Sequence, residues 1–170
     1  MSESDRKIGP EPIYSATVDE SWIDHNGHMN VTYYTYVFDQ AEEAFLSNLG
    51  IDQAYRKRTN KTMMSVESHI VYEREAHLGD HLDVRARLVS YDEKRFHIFS
   101  EMFHRETGVR AATCEWMLLH VDFSKRGVTN FDDEERGWLE AAMENEKSYG
   151  PVVGAGRAMG LKKPIKSALA

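Results

Sequence analysis

The spacing of hydrophobic residues changes period partway along the chain. Tyr34, Val37, Phe38, Ala41, Phe45 and Leu49 recur at steps of three and four, which puts one apolar stripe on a helix over about 31–48. Asn30 can cap its start and Gly50 can end it. Residues 63–75, 81–92, 94–105 and 109–123 instead read as four strands. In the second of these, Leu82, Val84, Ala86 and Leu88 alternate with Asp83, Arg85 and Arg87, so one face is buried and the other wet. In the third, Phe96, Ile98 and Met102 share one face, and Phe99 and Phe103 the other. The fourth is apolar on both faces from Ala111 to Val121, which predicts a central strand or one covered by a second layer or subunit. A further strand is predicted over 13–18, a short helix over 52–58, and a last amphipathic helix over 131–146 with Phe131, Trp138, Leu139, Ala142 and Met143. The links 76–80, 92–93 and 106–108 are short, which predicts antiparallel hairpins. One long helix on an antiparallel sheet is a two-layer α+β arrangement. Residues 1–12 then read as a loose leader, 13–147 as the domain, and 148–170 as an irregular tail.

Composition narrows the function classes. A chain of 170 residues forms one domain of ordinary size and buries a core without a disulfide or metal staple. The net charge of −7 lacks the basic footprint of a nucleic-acid binder. With Cys114 as the only cysteine, an intramolecular disulfide and a Cys-based zinc site are both excluded. Cys114 sits among apolar residues and reads as a buried thiol. No apolar run approaches the ~20 residues of a membrane span. The charged start, Met1 to Lys7, with no apolar core behind it, does not read as a signal peptide. These features predict a cytoplasmic protein with neither a membrane nor a nucleic acid as partner. His25/His28 and His77/His81 have spacings a metal can use, but no further donors complete either set, so no metal and no cofactor are expected.

The informative segment is Asp24-His25-Asn26-Gly27-His28-Met29-Asn30, just before the long helix. Asp24 is a carboxylate beside Trp22 and Ile23. Gly27 lets the backbone approach a ligand, and the first N–H groups of the helix are unpaired, with the helix dipole behind them. A carboxylate there can attack a carbonyl, or activate water against it, while backbone N–H groups near His28 to Asn30 hold the oxyanion. The same residue types also make ordinary turns and caps.

Asp24-x-x-Gly27-His28-x-Asn30, with Tyr34 and Ala41 on the helix, resembles the signature Asp-x-Asp-x-x-Gly-His-x-Asn-Asn of hotdog thioesterases of the 4-hydroxybenzoyl-CoA thioesterase family. The second Asp of that signature, catalytic in the family, falls on Asp24. The first Asp falls on Trp22 and the second Asn on Val31, so both are replaced. A wider resemblance runs from about Tyr14 to Asp122, through Trp22–Met29, Gly50–Tyr55, Val66–Tyr72, Asp92–His97 and Met117–Asp122, to the thioesterases of bacterial carnitine catabolism. The resemblance implies a hotdog fold, about five antiparallel strands wrapped around one long central helix. It implies hydrolysis of an acyl-CoA, betainyl-CoA to glycine betaine and CoA, with Asp24, His28 and Asn30 at the catalytic centre. It also implies a homodimer or homotetramer with the active site at a subunit interface.

A trimethylammonium group forms no ordinary hydrogen bonds and is held by aromatic faces and carboxylates. Trp22, Tyr33, Tyr36 and Trp116 are the candidate cage, with Glu67 as counter-charge; each aromatic can equally be core. CoA phosphates call for a basic patch, and Lys94-Arg95 or Arg56-Lys57-Arg58 with Lys61 can supply it; such runs are also common on solvated faces. Glu67 and His69 share a strand face, as an acid–base pair or an ordinary cross-strand pair. Three rival readings stand beside this one. They are a thioesterase for fatty or aromatic acyl-CoA, a non-catalytic acyl-CoA-binding hotdog protein, and a hydratase. The last relies on an Asp/His pair on the central helix, where this chain has Asp39 but no histidine.

Overall fold

A computed structural model describes residues 9–159 of the chain. The strands are β1 (Gly9–Thr17), β2 (Lys61–Tyr72), β3 (His81–Tyr91), β4 (Arg95–His104), β5 (Arg110–Asp122) and the two-residue β6 (Gly127–Val128). The helices are α1 (Val31–Leu49), α2 (Gln53–Thr59) and α3 (Asp133–Glu146). Strand β1 starts at Gly9, so residues 9–12, expected as leader, belong to the sheet; residues 1–8 and 160–170 lie outside the described residues.

Helix α1 is bounded as its sequence predicts. Asn30 Oδ1 accepts the Thr32 N–H at 2.9 Å, satisfying one of the orphan donors of the first turn. Gly50 ends the helix at φ 111° and returns its N–H to Leu46 and Ser47. The buried face carries Tyr34, Val37, Phe38, Ala41, Phe45 and Leu49, together with Leu46 and one acid, Glu42. Full burial of each Phe or Leu contributes about 1.5–3 kcal/mol, and this stripe is the largest block of the core. No described helix is long and apolar enough to cross a membrane.

The sheet is antiparallel in the order β1–β3–β4–β5–β2, with β6 on β5. It curls around α1 as a hotdog fold. One connection corrects the expectation from link length: β2 and β3 are not a hairpin. Strand β2 pairs with β5 at one edge while β3 lies between β1 and β4. The link 73–80 crosses under the intervening strands, roughly 14 Å at strand spacing, and is pinned there by the Glu73 and Arg74 N–H groups on the Ala111 carbonyl. Strand β5 is central, as its two apolar faces predict. Its Cys114, Trp116 and Leu118 join the core under α1 with Ile98 of β4. Phe99 and Glu115 face the other side; Phe99 is buried there outside that core, with Gly154 against its ring.

The two ends of the sheet differ. The turn before α1, the link 73–80 and the start of β5 meet at one end, through the Met29 N–H on Ala76 and the Glu73 N–H on Ala111. The end of α2, the β3–β4 turn and the end of β5 meet at the other, through the Phe123 N–H on Asn60 and the His120 N–H on Lys94. Strand β5 runs from one end to the other over 13 residues, and α1 spans about 28 Å between them.

Candidate active site

Asp24 lies in a tight turn closed by an antiparallel bridge between Ile23 and Met29. The Asp24 N–H donates to the His28 carbonyl and the Gly27 N–H to the Asp24 carbonyl, both at 3.0 Å. Gly27 takes φ 83°, the left-handed conformation that favours glycine. The half-buried Asp24 carboxylate accepts the Asn26 N–H on Oδ1 at 2.8 Å. Its other oxygen has no protein donor among the described residues. Asp24 therefore both shapes the turn and keeps an acceptor free.

The expected oxyanion donors need correcting. The Met29 N–H is bonded to the Ala76 carbonyl (2.7 Å) and the Asn30 N–H to the Trp22 carbonyl (2.9 Å). Neither can serve a substrate oxygen. The N–H groups of His28 and Val31 have no acceptor among the described residues and flank the first turn of α1. Asn30 acts as the cap of α1. His28 is half-buried, with Nε2 3.8 Å from Glu75 Oε1.

Two adjoining cavities open beside this end of α1. One of about 220 Å³ is lined by His28, Met29, Tyr34, Glu73, Arg74 and Glu75; the other, of about 460 Å³, by Thr32, Thr35, Tyr36 and Asp39. Val31 and Tyr72 line both. Asp24 lines neither, and is joined to His28 through its N–H on the His28 carbonyl. Tyr72, Arg74 and Asp39 are additions that sequence reasoning missed. Arg74 donates to the Glu73 carbonyl at 2.6 Å and has no ion-pair partner among the described residues. No linear motif marks these residues, because a strand end, a link and a helix face meet only on folding.

Of the candidate cage, Trp22, Tyr33 and Tyr36 come together. Trp22 stacks on Tyr33 with centroids 5.2 Å apart and planes at 11°, and meets Tyr36 edge-on at 5.7 Å. A cation sandwiched between two rings needs them roughly 9–12 Å apart, so the Trp22–Tyr33 pair is closed to one. Glu67 and Trp116 do not join this group. They line a separate cavity of about 460 Å³ with His69, His97, Glu115 and residues 156–159. There Glu115 accepts from the Gly156 N–H (2.7 Å) and pairs with His97 (2.8 Å), while His69 lies 3.9 Å from it. The pairing of Glu67 with His69 is not formed; His69 faces Glu115 instead.

The candidate CoA cations lie at the far end of the sheet, and four of them are paired. Arg56 pairs with Glu43 (2.9 Å), Arg58 with Glu134 (3.0 Å), Arg95 with Asp92 (2.6 Å) and Lys94 with Glu93 (3.6 Å). Among buried groups, desolvation pushes Glu42 up to about 7, with only Ser65 Oγ donating to it, at 3.0 and 2.9 Å. Burial, with Glu42 and Glu115 nearby, pushes the Cys114 thiol up, as suits an inert buried sulfur. No group of three or more His, Cys, Asp or Glu among the described residues can hold a metal.

Comparison with known proteins places this geometry. The thioesterase-like superfamily profile matches residues 18–139. A betainyl-CoA thioesterase of Pseudomonas aeruginosa is 30% identical over 148 residues, covering 87% of this chain and 93% of that protein. An L-carnitine dehydrogenase/betainyl-CoA thioesterase of Rhizobium meliloti is 34% identical over 155 residues; the match covers 91% of this chain but only 31% of that longer protein. Among solved structures, a protein of Staphylococcus aureus in complex with CoA superposes with a TM-score of 0.79 at 25% identity, over 87% of this chain and 93% of that one. A thioesterase-like structure from Pseudomonas putida gives 0.76 at 26% identity, over 91% and 99%.

Proposed function

The chain belongs to the thioesterase-like superfamily and is an acyl-CoA thioester hydrolase; from that premise we propose that its substrate is betainyl-CoA, cleaved to glycine betaine and CoA. One observation carries the acyl group. The single-domain Pseudomonas relative and the fused Rhizobium relative differ in architecture, yet both align with this one domain, and betainyl-CoA thioesterase is the part of their names they share.

Asp24 is the catalytic carboxylate in this reading. Water adds its oxygen to the thioester carbonyl and the C–S bond breaks, the thiol leaving with CoA. Asp24 takes the water proton, or attacks first to give an anhydride that water opens. The free N–H groups of His28 and Val31, at the positive end of α1, hold the developing oxyanion. Arg74 faces the same cavity as His28 and supports an anionic ligand there.

The working unit in this reading is a homodimer. Edge strand β2 exposes Met64, Val66 and Tyr72 and carries no neighbouring strand on its outer side among the described residues, a ready template for a second copy.

Thiol release from betainyl-CoA, acetyl-CoA, a long-chain acyl-CoA and 4-hydroxybenzoyl-CoA tests the proposal. Betainyl-CoA is expected to show a kcat/KM at least tenfold above the others. Asp24→Asn is expected to lower kcat by about two orders of magnitude or more, as for loss of a general base, with an unchanged melting temperature. A higher kcat/KM on another acyl group overturns the substrate. Activity of Asp24→Asn within a few-fold of wild type overturns the role of Asp24.

A further inference from the structure

The aromatic pair nearest Asp24 in sequence is stacked shut, and Glu67 lies in another cavity. The open groove beside α1 offers what they do not. Tyr36 and Tyr72 remain 46% and 48% exposed, so each presents a ring to the groove they line. Tyr72 is held by an edge contact with the buried Tyr34, centroids 5.3 Å apart at 85°, which fixes its ring while leaving it accessible. Asp39 lines the groove together with the two tyrosines. Among the described residues its carboxylate receives only the Gln40 side-chain amide, at 3.3 Å, and no cation. Thr32 and Thr35, the other polar residues of the lining, carry no charge.

We infer that the groove lined by Tyr36, Asp39 and Tyr72 is the acyl subsite for a quaternary ammonium group, with Asp39 as the residue that sets the preference for positive charge. The inference rests on the betainyl-CoA reading and deepens it. A trimethylammonium cannot donate an ordinary hydrogen bond, so its recognition depends on ring faces and an uncompensated carboxylate. Both are found here, and among the described residues neither is already engaged by a protein cation. The groove also continues, through Val31 and Tyr72, into the cavity lined by His28 and Arg74. A thioester carbonyl near the start of α1 thus leaves its acyl end in the acidic groove.

The discriminating substrate is 3,3-dimethylbutyryl-CoA, in which a carbon replaces the ammonium nitrogen, so that size is kept and charge is lost. Wild type, Asp39→Asn and Tyr72→Leu are compared on it and on betainyl-CoA. A wild-type preference for betainyl-CoA in kcat/KM, reduced tenfold or more by Asp39→Asn and severalfold by Tyr72→Leu, supports the subsite. Because the ratio is taken within each variant, a general loss of folding or of Asp24 chemistry cancels. A wild-type preference that persists in Asp39→Asn overturns the subsite while leaving betainyl-CoA as substrate. Equal turnover of the two compounds by wild type overturns the substrate reading itself, and the subsite with it.

Discussion

At Glu42 a single buried residue ties the stability of the fold to pH. It sits on the buried face of α1, and its only hydroxyl donor is Ser65 on β2. Desolvation is the largest influence and pushes its carboxyl from 4.5 up to about 7. The raised value means that the folded chain binds this proton more tightly than the unfolded chain. The associated stability is fully present below about pH 4.5 and is lost as pH rises through about 7. The span corresponds to about 3 kcal/mol, an order of magnitude for a group this buried. Glu42→Gln keeps the shape and the Ser65 hydrogen bond but cannot ionise. Its melting temperature, measured by circular dichroism, is expected to exceed that of wild type at pH 8 and to converge with it at pH 5; a gain of equal size at both would reject the assignment. Glu42 also shows what residue patterns hide. It reads as a polar interruption of an apolar stripe, and only packing reveals that it faces inward. Asp24 is legible in the sequence because a turn motif is local. Asp39 and Tyr72 are not legible as one site, because nothing in their separate contexts says that a helix face and a strand end meet.

Elements are more legible than their arrangement. Periods of 3.6 and 2 depend on which face is buried, so α1 and the four long strands stand where the spacing predicts them, within a few residues at each end. Strand order is not legible. A link of eight residues suits either a hairpin or a crossing beneath the sheet, and contacts at Ala111 and Ala76 decide between them. Register shifts between Ser65 and Glu67, Leu88 and Ser90, and Met102 and Phe103 break the alternation that face assignments rely on. The end of α1 gives a sharper test of element logic. Gly50 adopts φ 111°, and a Cβ there would lie 3.2 Å from the Trp138 ring of α3. Gly50→Ala therefore meets both left-handed strain, about 1–2 kcal/mol, and a rigid ring that must move. A drop in melting temperature of about 2–8 °C is expected for a chain of this size. Gly137, exposed in α3, is the control, since a Cβ there would meet nothing within 4 Å. Gly137→Ala is expected to raise the melting temperature, since alanine is the better helix former by about 1 kcal/mol. A similar response at both positions would mean that neither the backbone angle nor Trp138 governs Gly50.

For the whole molecule, the separation of charge from chemistry is the main constraint. Asp24 and Arg74 stand at one end of the sheet, whereas Arg56, Lys57 and Arg58 of α2 stand just before the start of β2, at the other. Arg56 reaches Glu43, about 18 Å along α1 from its start, so a CoA bound at Asp24 has to lie along the helix to meet the basic run of its own chain. Two copies joined edge to edge offer a second route. A two-fold pairing of identical edge strands is antiparallel, so the start of one β2 lies beside the end of the other. The basic run of each chain then borders the Asp24 site of its neighbour, where CoA phosphates would compete with Glu43 and Glu134 for Arg56 and Arg58. This arrangement predicts complementation between two defective chains. Asp24→Asn abolishes chemistry but leaves the basic run intact. The triple variant Arg56→Ala, Lys57→Ala, Arg58→Ala keeps Asp24 but is expected to raise KM for the CoA thioester about tenfold. In a mixed dimer, the Asp24 of the triple variant borders the basic run of the Asp24→Asn chain, so one complete site returns. With the chains differently tagged and mixed dimers isolated in two affinity steps, kcat per dimer is expected at about half the wild-type value with a wild-type KM, one complete site of the two. Mixed dimers that keep the raised KM would place the basic run in the same chain as its Asp24, or outside CoA binding altogether. A chain that sediments as a monomer while fully active would remove the dimer from the mechanism. The outcome therefore decides whether this acidic chain recruits positive charge for CoA from its neighbour or from its own residues.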